Sequence, residues 1–556
     1  MDTNWSLWMK LQFALSTFAL STIVQILFFV VIVDCSQTTY ADDRPNILWI
    51  SCEDISPNLG CYGDTYARTP NLDKLASEGV RFDRAFTHAG VCAVLRSGMI
   101  TGVYPVSIGS QHMRSNIVTP PHIKCFTEYL RAQGYYCTNR SKTDYQFAPP
   151  FTAWDRQGNG HGDWRGRKKD QPFFSVINLT VCHESQIRHG EKRHAQVLKK
   201  LKPEQVHDPD QAAATLPPYI PNTPAARKNW AWYHDNISEM DRQAGEILQK
   251  LEDDGLADNT LVVFWSDHGQ GMPRGKRWIY DSGTHVPVIM RWPGKLDPQS
   301  VRDDLVTMLD LTTTTLSVAG IEKPKHMHGR VLIGDQKEAE PDFIFFHRDR
   351  MDEAYELQRG ARDRRYRYIR NYEPEKTYAQ GIDYMDEMPA MKQWRALNQE
   401  GKLTAAQKLW FARPKPIEEL YDCEKDPHNI DNLASDPQFV KVLTRMRKAT
   451  EDWQVQVGDL GLVAEPVLME RIQSRKIKVQ PPQMGVASVG ESTIATLKSP
   501  TPGASIGYRI RSNKGWSDWM LYTKPIDLDD TVSTVEAKAC RIGCGTSAVT
   551  KLALDE

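Results

Sequence analysis

Residues 46–54 read Asn-Ile-Leu-Trp-Ile-Ser-Cys-Glu-Asp, an apolar run that ends in two adjacent carboxylates. A short unbroken apolar run fits a strand buried on both faces, here delivering acids at its carboxyl end. Two later stretches repeat the pattern: FFSVINL (173–179) leads to His183, and LVVFW (261–265) leads to Asp267-His268. Helical spacing separates them, in PNLDKLASEG (70–79) with its glycine stop and in residues 230–256 with Gly255 near the end. Strands that alternate with helices and end in polar groups predict a doubly wound α/β domain. Its site should lie along the carboxyl edge of the sheet.

The chain has 556 residues, with 69 Lys+Arg against 70 Asp+Glu and 40% hydrophobic residues. That composition excludes a disordered or fibrous protein. The balanced charge gives no global attraction to nucleic acid or to an anionic membrane, so an anionic substrate needs a local basic site. Residues 11–33 carry no charge and follow Lys10. They are expected to be a cleaved export signal, with Thr39-Tyr40-Ala41 as the cleavage site, or else an uncleaved membrane anchor. Both place the folded part outside the cytoplasm, as a periplasmic, secreted or membrane-anchored protein.

The expected organisation is a leader (1–41), a catalytic α/β region (42–335), a smaller α+β subdomain (336–470), a linker (471–489) and an all-β module (490–556). Within the subdomain, RGARDRRYRYIRNY (359–372) reads as a half-exposed antiparallel strand pair with a solvated basic face. Val479-Gln480-Pro481-Pro482-Gln483 reads as the linker, and the tail as a small β-sandwich. Nine cysteines follow the leader, an odd number. Cys540 and Cys544 are spaced to close a small disulfide, and most of the others read as buried fillers. Asn139, Asn178 and Asn236 head glycosylation sequons.

The most informative segment is GVCAVLRSGMITG (90–102). Val91, Val94, Leu95 and Met99 recur at helical spacing, and Gly102 with Pro105 supplies the stop. Cys92 therefore falls at a helix start, where free N–H groups favour negative charge, and Arg96 lies one turn on along the same face. That placement suits an activated nucleophile or a bound anion.

Here the sequence resembles the sulfatases, a branch of the alkaline-phosphatase superfamily. Cys92, Arg96, Thr101 and Gly102 match their signature, and NILWISCED, PNLDKLASEGVRFDRAF and ELYDCEKDPHNIDNLASDP match further segments in the family's order over residues 44–440. The similarity is greatest to the heparan N-sulfatase-like (N-sulfoglucosamine sulfohydrolase) group. It implies an alkaline-phosphatase-like fold and hydrolysis of N- or O-sulfate from a sulfated saccharide. It further implies conversion of Cys92 to formylglycine by a formylglycine-generating enzyme, and one divalent cation, calcium. By the same resemblance Glu53, Asp54, Cys92, Asp267 and His268 hold the metal. Arg96 holds the converted Cys92, Lys142 and Lys276 grip sulfate, and His183 protonates the leaving atom.

Five positions depart from the family's pattern, one of them Leu95 in place of a usual small residue. Glu53 replaces an Asp, and Val94 stands where Pro is usual, two residues after the Cys. Asp144 replaces a His, and His285 replaces the Arg before Val-Pro, where it bears on substrate fit. Two rival functions remain: a metal-dependent phosphohydrolase using unmodified Cys92, and a non-catalytic protein that binds sulfated glycan.

Overall fold

The computed structural model describes residues 44–554 except 161, 189 and 491. The leader, its cleavage site and Cys35 lie outside the described residues. None of the described helices is long and apolar enough to cross a membrane.

The decisive strand forms as read. β1 (Asn46–Cys52) is buried along its whole length. The other strands of its sheet are β2 (Val80–Phe82), β3 (Tyr136–Arg140), β4 (Arg156–Gln157), β5 (Phe173–Leu179), β6 (Thr260–Ser266), β7 (Val288–Arg291) and β8 (Ser300–Arg302). Their order is β4-β3-β5-β1-β6-β7-β2-β8. The five strands from β4 to β6 run parallel, and β7 turns antiparallel to both β6 and β2. Cys52 stands level with Leu179 and with Ser266. Glu53, Thr180 and Asp267 therefore leave the sheet side by side at one edge.

Alternation along these strands builds two cores, because successive side chains point to opposite faces. One face gathers Ile47, Trp49, Phe174, Val263 and Trp265 with helices α2 (Cys92–Thr101) and α4 (Leu309–Val318). The other gathers Leu48, Ile50, Val262 and Phe264 with α1 (Pro70–Ser77) and α3 (Pro224–Asp253). α3 shows the helical rule plainly: Trp230, Tyr233, Ile237, Met240, Ala244, Ile247 and Leu251 recur three and four apart and are all buried. It begins earlier than the apolar stripe suggests. Pro224 occupies its first turn, and Thr223 caps it by accepting the Ala226 N–H at 3.1 Å.

A second sheet of four antiparallel strands, β9 (Ile344–Arg348), β10 (Gln358–Arg362), β11 (Tyr366–Asn371) and β12 (Glu418–Asp422), packs against α5 (Val440–Val457). The arginine-rich run forms its central strand pair, but the expected solvated basic face is overturned. Arg359 and Arg367 are fully buried and Arg362 nearly so. Arg359 reaches Asp349 at 3.0 Å and Asp459 at 2.6 Å, and Arg367 reaches Asp281 at 2.5 Å. Charge persists inside a protein only when paired. These partners come from segments that local spacing cannot identify.

Residues 483–554 form a sandwich of a three-stranded and a six-stranded sheet around Ala495, Leu497, Ile506, Val535 and Ala537. Its long strands are β13 (Ser505–Ser512) and β14 (Val532–Arg541). The Pro/Gln-rich stretch before it is tied down: Val479 joins the sandwich core and the Gln480 N–H donates to Thr501 Oγ1 at 2.9 Å. The sandwich also contacts the α/β region, with Arg541 donating to the Thr119 carbonyl at 2.9 Å. All nine described cysteines are free, so Cys540 and Cys544 form no disulfide. The sequon residues Asn139, Asn178 and Asn236 are buried and hydrogen-bonding or packing groups, which removes them as glycan carriers in the folded protein.

Candidate active site

Every candidate residue named from the sequence arrives at the carboxyl edge of the main sheet. Glu53 and Asp54 follow β1, Lys142 follows β3, His183 follows β5, and Asp267 and His268 follow β6. Cys92 is the first residue of α2, with Val91 extended before it and Gly102 closing the helix in the left-handed region. Lys276 comes from the loop after His268.

Arg96 is the central strut. It donates to Asn178 Oδ1 at 2.6 Å and to Asp267 Oδ2 at 3.2 Å, and lies 3.9 Å from Glu53. Lys142 hydrogen-bonds to the Glu53 carboxylate. Lys276 lies 2.8 Å from Asp54, 3.1 Å from Glu184 and 3.2 Å from His183 Nε2. Asp54 takes a positive φ of 56° and has its carboxylate filled from three sides, by Lys276, by the Glu184 N–H at 2.7 Å and by the approach of His268 Nε2 at 3.1 Å. The conformation is uncommon for a residue with a side chain, and Asp is among those that tolerate it.

The charges set the protonation states. Burial works to raise the Asp54 carboxyl, but Lys276 and His268 outweigh it and hold it well below the usual range. For Glu53 burial prevails over Lys142 and its carboxyl is pushed up. Burial also opposes ionisation of Cys92. Lys142, a hydrogen bond from His268 and Lys276 together overcome it, so the thiol lies below its ordinary value. Burial and then Lys276 depress the His183 imidazole. Beside Asp267 and Asp54, His268 is raised to about 10 despite its burial.

The residues fit a divalent cation. Cys92, Asp267 and His268 present ligand atoms all within 4.8 Å of one another. His268 Nε2 points among Cys92, Asp54 Oδ1 at 3.1 Å and Asp267 Oδ1 at 3.7 Å, while its Nδ1 faces the Gly269 carbonyl at 3.0 Å. An imidazole fixed on one nitrogen with the other turned toward carboxylates and a thiol is the arrangement metal ligands show.

Three participants were missed from the sequence. Glu184 grips Arg277 through two bonds of 2.7 and 2.9 Å, and its carboxyl is held at about 2, burial being overcome by Arg277 and Lys276. Asn178 joins Ser51, Arg96 and Asn139. Glu184 and Arg277 each directly follow a residue that was named, which was their only sequence signal. Asn178 was the lone amide in an apolar strand. Of the departures, Asp144 stands 3.8 Å from Lys142. His285 is stacked on Phe86 and bonded to the Asp83 carbonyl, so it serves packing.

Known proteins carry the same features. Residues 45–321 match the sulfatase family model, and residues 273–399 match the model named N-sulphoglucosamine sulphohydrolase, C-terminal. The chain is 38% identical over 539 residues to an ulvan-active sulfatase of Formosa agariphila, covering 90% of both. It is 26% identical over 479 residues to the human N-sulphoglucosamine sulphohydrolase, covering 77% of this chain and 93% of that protein. The structure of BT4656 in complex with D-glucosamine-2-N,6-O-disulfate superposes with a TM-score of 0.55 at 18% identity, covering 75% of this chain and 98% of that one, a likeness of fold. With an alkaline-phosphatase-like sheet, the ordered motifs and a full-length relative of this similarity, the chain belongs to the sulfatase family.

Proposed function

We infer that the protein removes sulfate from a sulfated polysaccharide of the ulvan type, with Cys92, oxidised to formylglycine by a formylglycine-generating enzyme, as the attacking residue. The observation that carries this reading is the seating of Cys92: it is buried at the start of α2, against Lys142, Lys276 and the Asp267-His268 pair. The 38% identity to an ulvan-active sulfatase supports the substrate class. A second reading, release of N-sulfate from glucosamine in the manner of a heparan N-sulfatase, is supported by the match of residues 273–399. The uncharged segment 11–33 supports an extracytoplasmic location.

Charge balance favours an anionic substrate. Glu53, Asp54 and Asp267 face Arg96, Lys142 and Lys276, with the His268 imidazole a further cation beside Asp54 and Asp267. A divalent cation held by Glu53, Asp54, Asp267, His268 and the converted Cys92 leaves a positive surplus for an anion to balance, and the oxygen-rich set suits calcium. When bound, such an ion draws charge from a sulfuryl oxygen and acidifies a neighbouring hydroxyl. Formylglycine supplies that hydroxyl as a hydrated aldehyde. Lys142 and Lys276 are placed to neutralise the charge that grows on the sulfate oxygens. Arg96 stays fixed on Asp267 and Asn178. His183 has its Nδ1 against Ser185 Oγ at 2.8 Å and its Nε2 against the Lys276 ammonium at 3.2 Å, so it would pass a proton received from Lys276 to the departing oxygen or nitrogen.

The test combines peptide mass spectrometry across residues 90–102 of native protein with sulfate release from ulvan and from N-sulfoglucosamine. Aldehyde at Cys92 and release from ulvan are expected. Release from N-sulfoglucosamine alone would select the second reading. A wholly unmodified thiol with phosphate-ester turnover, or glycan binding without release, would overturn both.

A further inference from the structure

The strands that deliver Lys142 and His183 have their amino ends in a second concavity. Residues 134–136 lead into β3 and Gln171 precedes β5; there the α/β region meets the sandwich and leaves a groove of about 840 Å³. Tyr136, Phe151 and Arg156 line it on one side, and Trp519, Lys524 and Lys538 on the other. The seven residues of β5 span roughly 20 Å. The groove and the candidate active site therefore stand at opposite edges of one sheet.

The sandwich side is an alternating series of rings and cations. Arg509 lies 4.4 Å from the Trp516 ring and 4.9 Å from Trp519. Lys538 lies 4.2 Å from Trp519 and 4.3 Å from Phe151, and Phe151 meets Trp519 edge to face at 5.7 Å. The series crosses the seam between the two regions, because Phe151 belongs to the α/β part. Ring faces hold a cation in position without cancelling its charge. Arg509 is neutralised by Glu536 at 2.6 Å, and Arg156 by Asp518 at 3.0 Å. Lys168, Lys524 and Lys538 line the groove with no carboxylate partner among the described residues. Burial depresses the Lys538 amine, the response of an ammonium that lacks an anion.

We propose that this groove binds a segment of sulfated polysaccharide, holding a polymeric substrate on the enzyme at a distance from the catalytic edge. Three unpaired ammonium groups around one open concavity answer repeated sulfates, and the aromatic walls answer the apolar faces of sugar rings. A nucleic acid is the poorer fit, because the chain as a whole is charge-balanced and offers no extended positive surface. The choice of glycan rests on the function proposed above, whereas the anion-binding geometry does not.

The experiment uses the full chain carrying Lys524→Gln with Lys538→Gln, and separately Trp519→Ala. Affinity for ulvan and for heparin is measured by titration calorimetry, with desulfated ulvan as control. Sulfate release is followed on polymeric ulvan and on a sulfated monosaccharide. The double lysine variant should bind the sulfated polymers about five- to tenfold more weakly, the value of two exposed charge contacts. Its KM for polymer should rise to match, with kcat and monosaccharide turnover unchanged. Unchanged affinity for both polymers in both variants overturns the proposal. So do equal binding of desulfated ulvan, failure of the parent protein to bind either polymer, and tighter binding of single-stranded DNA. Loss of polymer binding in a protein that releases no sulfate from any substrate supports the groove and rejects the catalytic reading instead.

Discussion

Replacing Gly283 with alanine should disable the site without touching a residue that meets substrate. A Cβ at this position would lie 2.1 Å from the Trp278 carbonyl oxygen and 2.4 Å from that of Gly275. Both carbonyls belong to the loop that carries Lys276, and both are backbone atoms that cannot swing aside. Ordinary contact requires them to retreat by about 1 Å, and overpacking of this kind costs about 1–3 kcal/mol. Lys276 holds Asp54 at 2.8 Å, Glu184 at 3.1 Å and His183 at 3.2 Å. A retreat of that size stretches all three beyond hydrogen-bonding range, and misplacement by about 1 Å can reduce a rate about 100-fold. The assay is kcat/KM for sulfate release beside urea unfolding. Gly381→Ala is the control, since its Cβ would meet nothing closer than Asp386 at 4.0 Å. Gly283→Ala with a wild-type rate and wild-type stability would refute the argument that this loop has no freedom to move.

Arg359→Ala leaves Asp349 and Asp459 buried without their partner, and urea unfolding should show a loss of about 3–5 kcal/mol; a loss under 1 kcal/mol would mean that water reaches the pair. Burial would raise Asp349, but Arg359 and His347 hold it well below the usual carboxylate range. Its contribution is therefore present above the ordinary carboxylate pKa and lost as pH falls, so wild-type stability should drop in acid more steeply than that of the variant. Glu184→Gln removes one charge from the buried Arg277 pair, and both lower stability and reduced kcat are expected, read by unfolding and by steady-state rates. Chelation of a purified active sample should lower its melting temperature, and readdition of calcium at about 100 times its Kd should return about 2.7 kcal/mol; an unchanged melting curve would argue against a resident ion.

The parts of the molecule written in local pattern were legible. The strands at 46, 173 and 260 and the helix at 92 appear where apolar runs and glycine stops place them, because period and length decide those elements. The candidate site residues converge at the strand ends where motif order and position put them. What escaped depends on partners distant in sequence. Nothing near Arg359 announces Asp459, so a buried ion pair reads as a solvated face. Asn178 satisfies a sequon pattern, yet its amide is consumed by Ser51, Arg96 and Asn139. Val479 has no local reason to be buried until the sandwich core supplies one.

If Cys92 is converted as proposed, its burial sets a clock on that conversion. In the finished fold it is 3% exposed, closed in by residues that follow β6. The modifying enzyme would need residues 90–102 as an open peptide, whereas a sulfate group need only reach the Cys92 side chain at the sheet edge. Roughly 170 residues separate Cys92 from the end of β6, and at synthesis rates of about 5–20 residues per second they take roughly 9–35 s to emerge. During that interval residues 90–102 are an accessible linear peptide, and afterwards they are core. A variant that hastens closure of the sheet would then yield a more stable protein carrying fewer competent sites, so yield of folded protein and yield of active protein need not rise together.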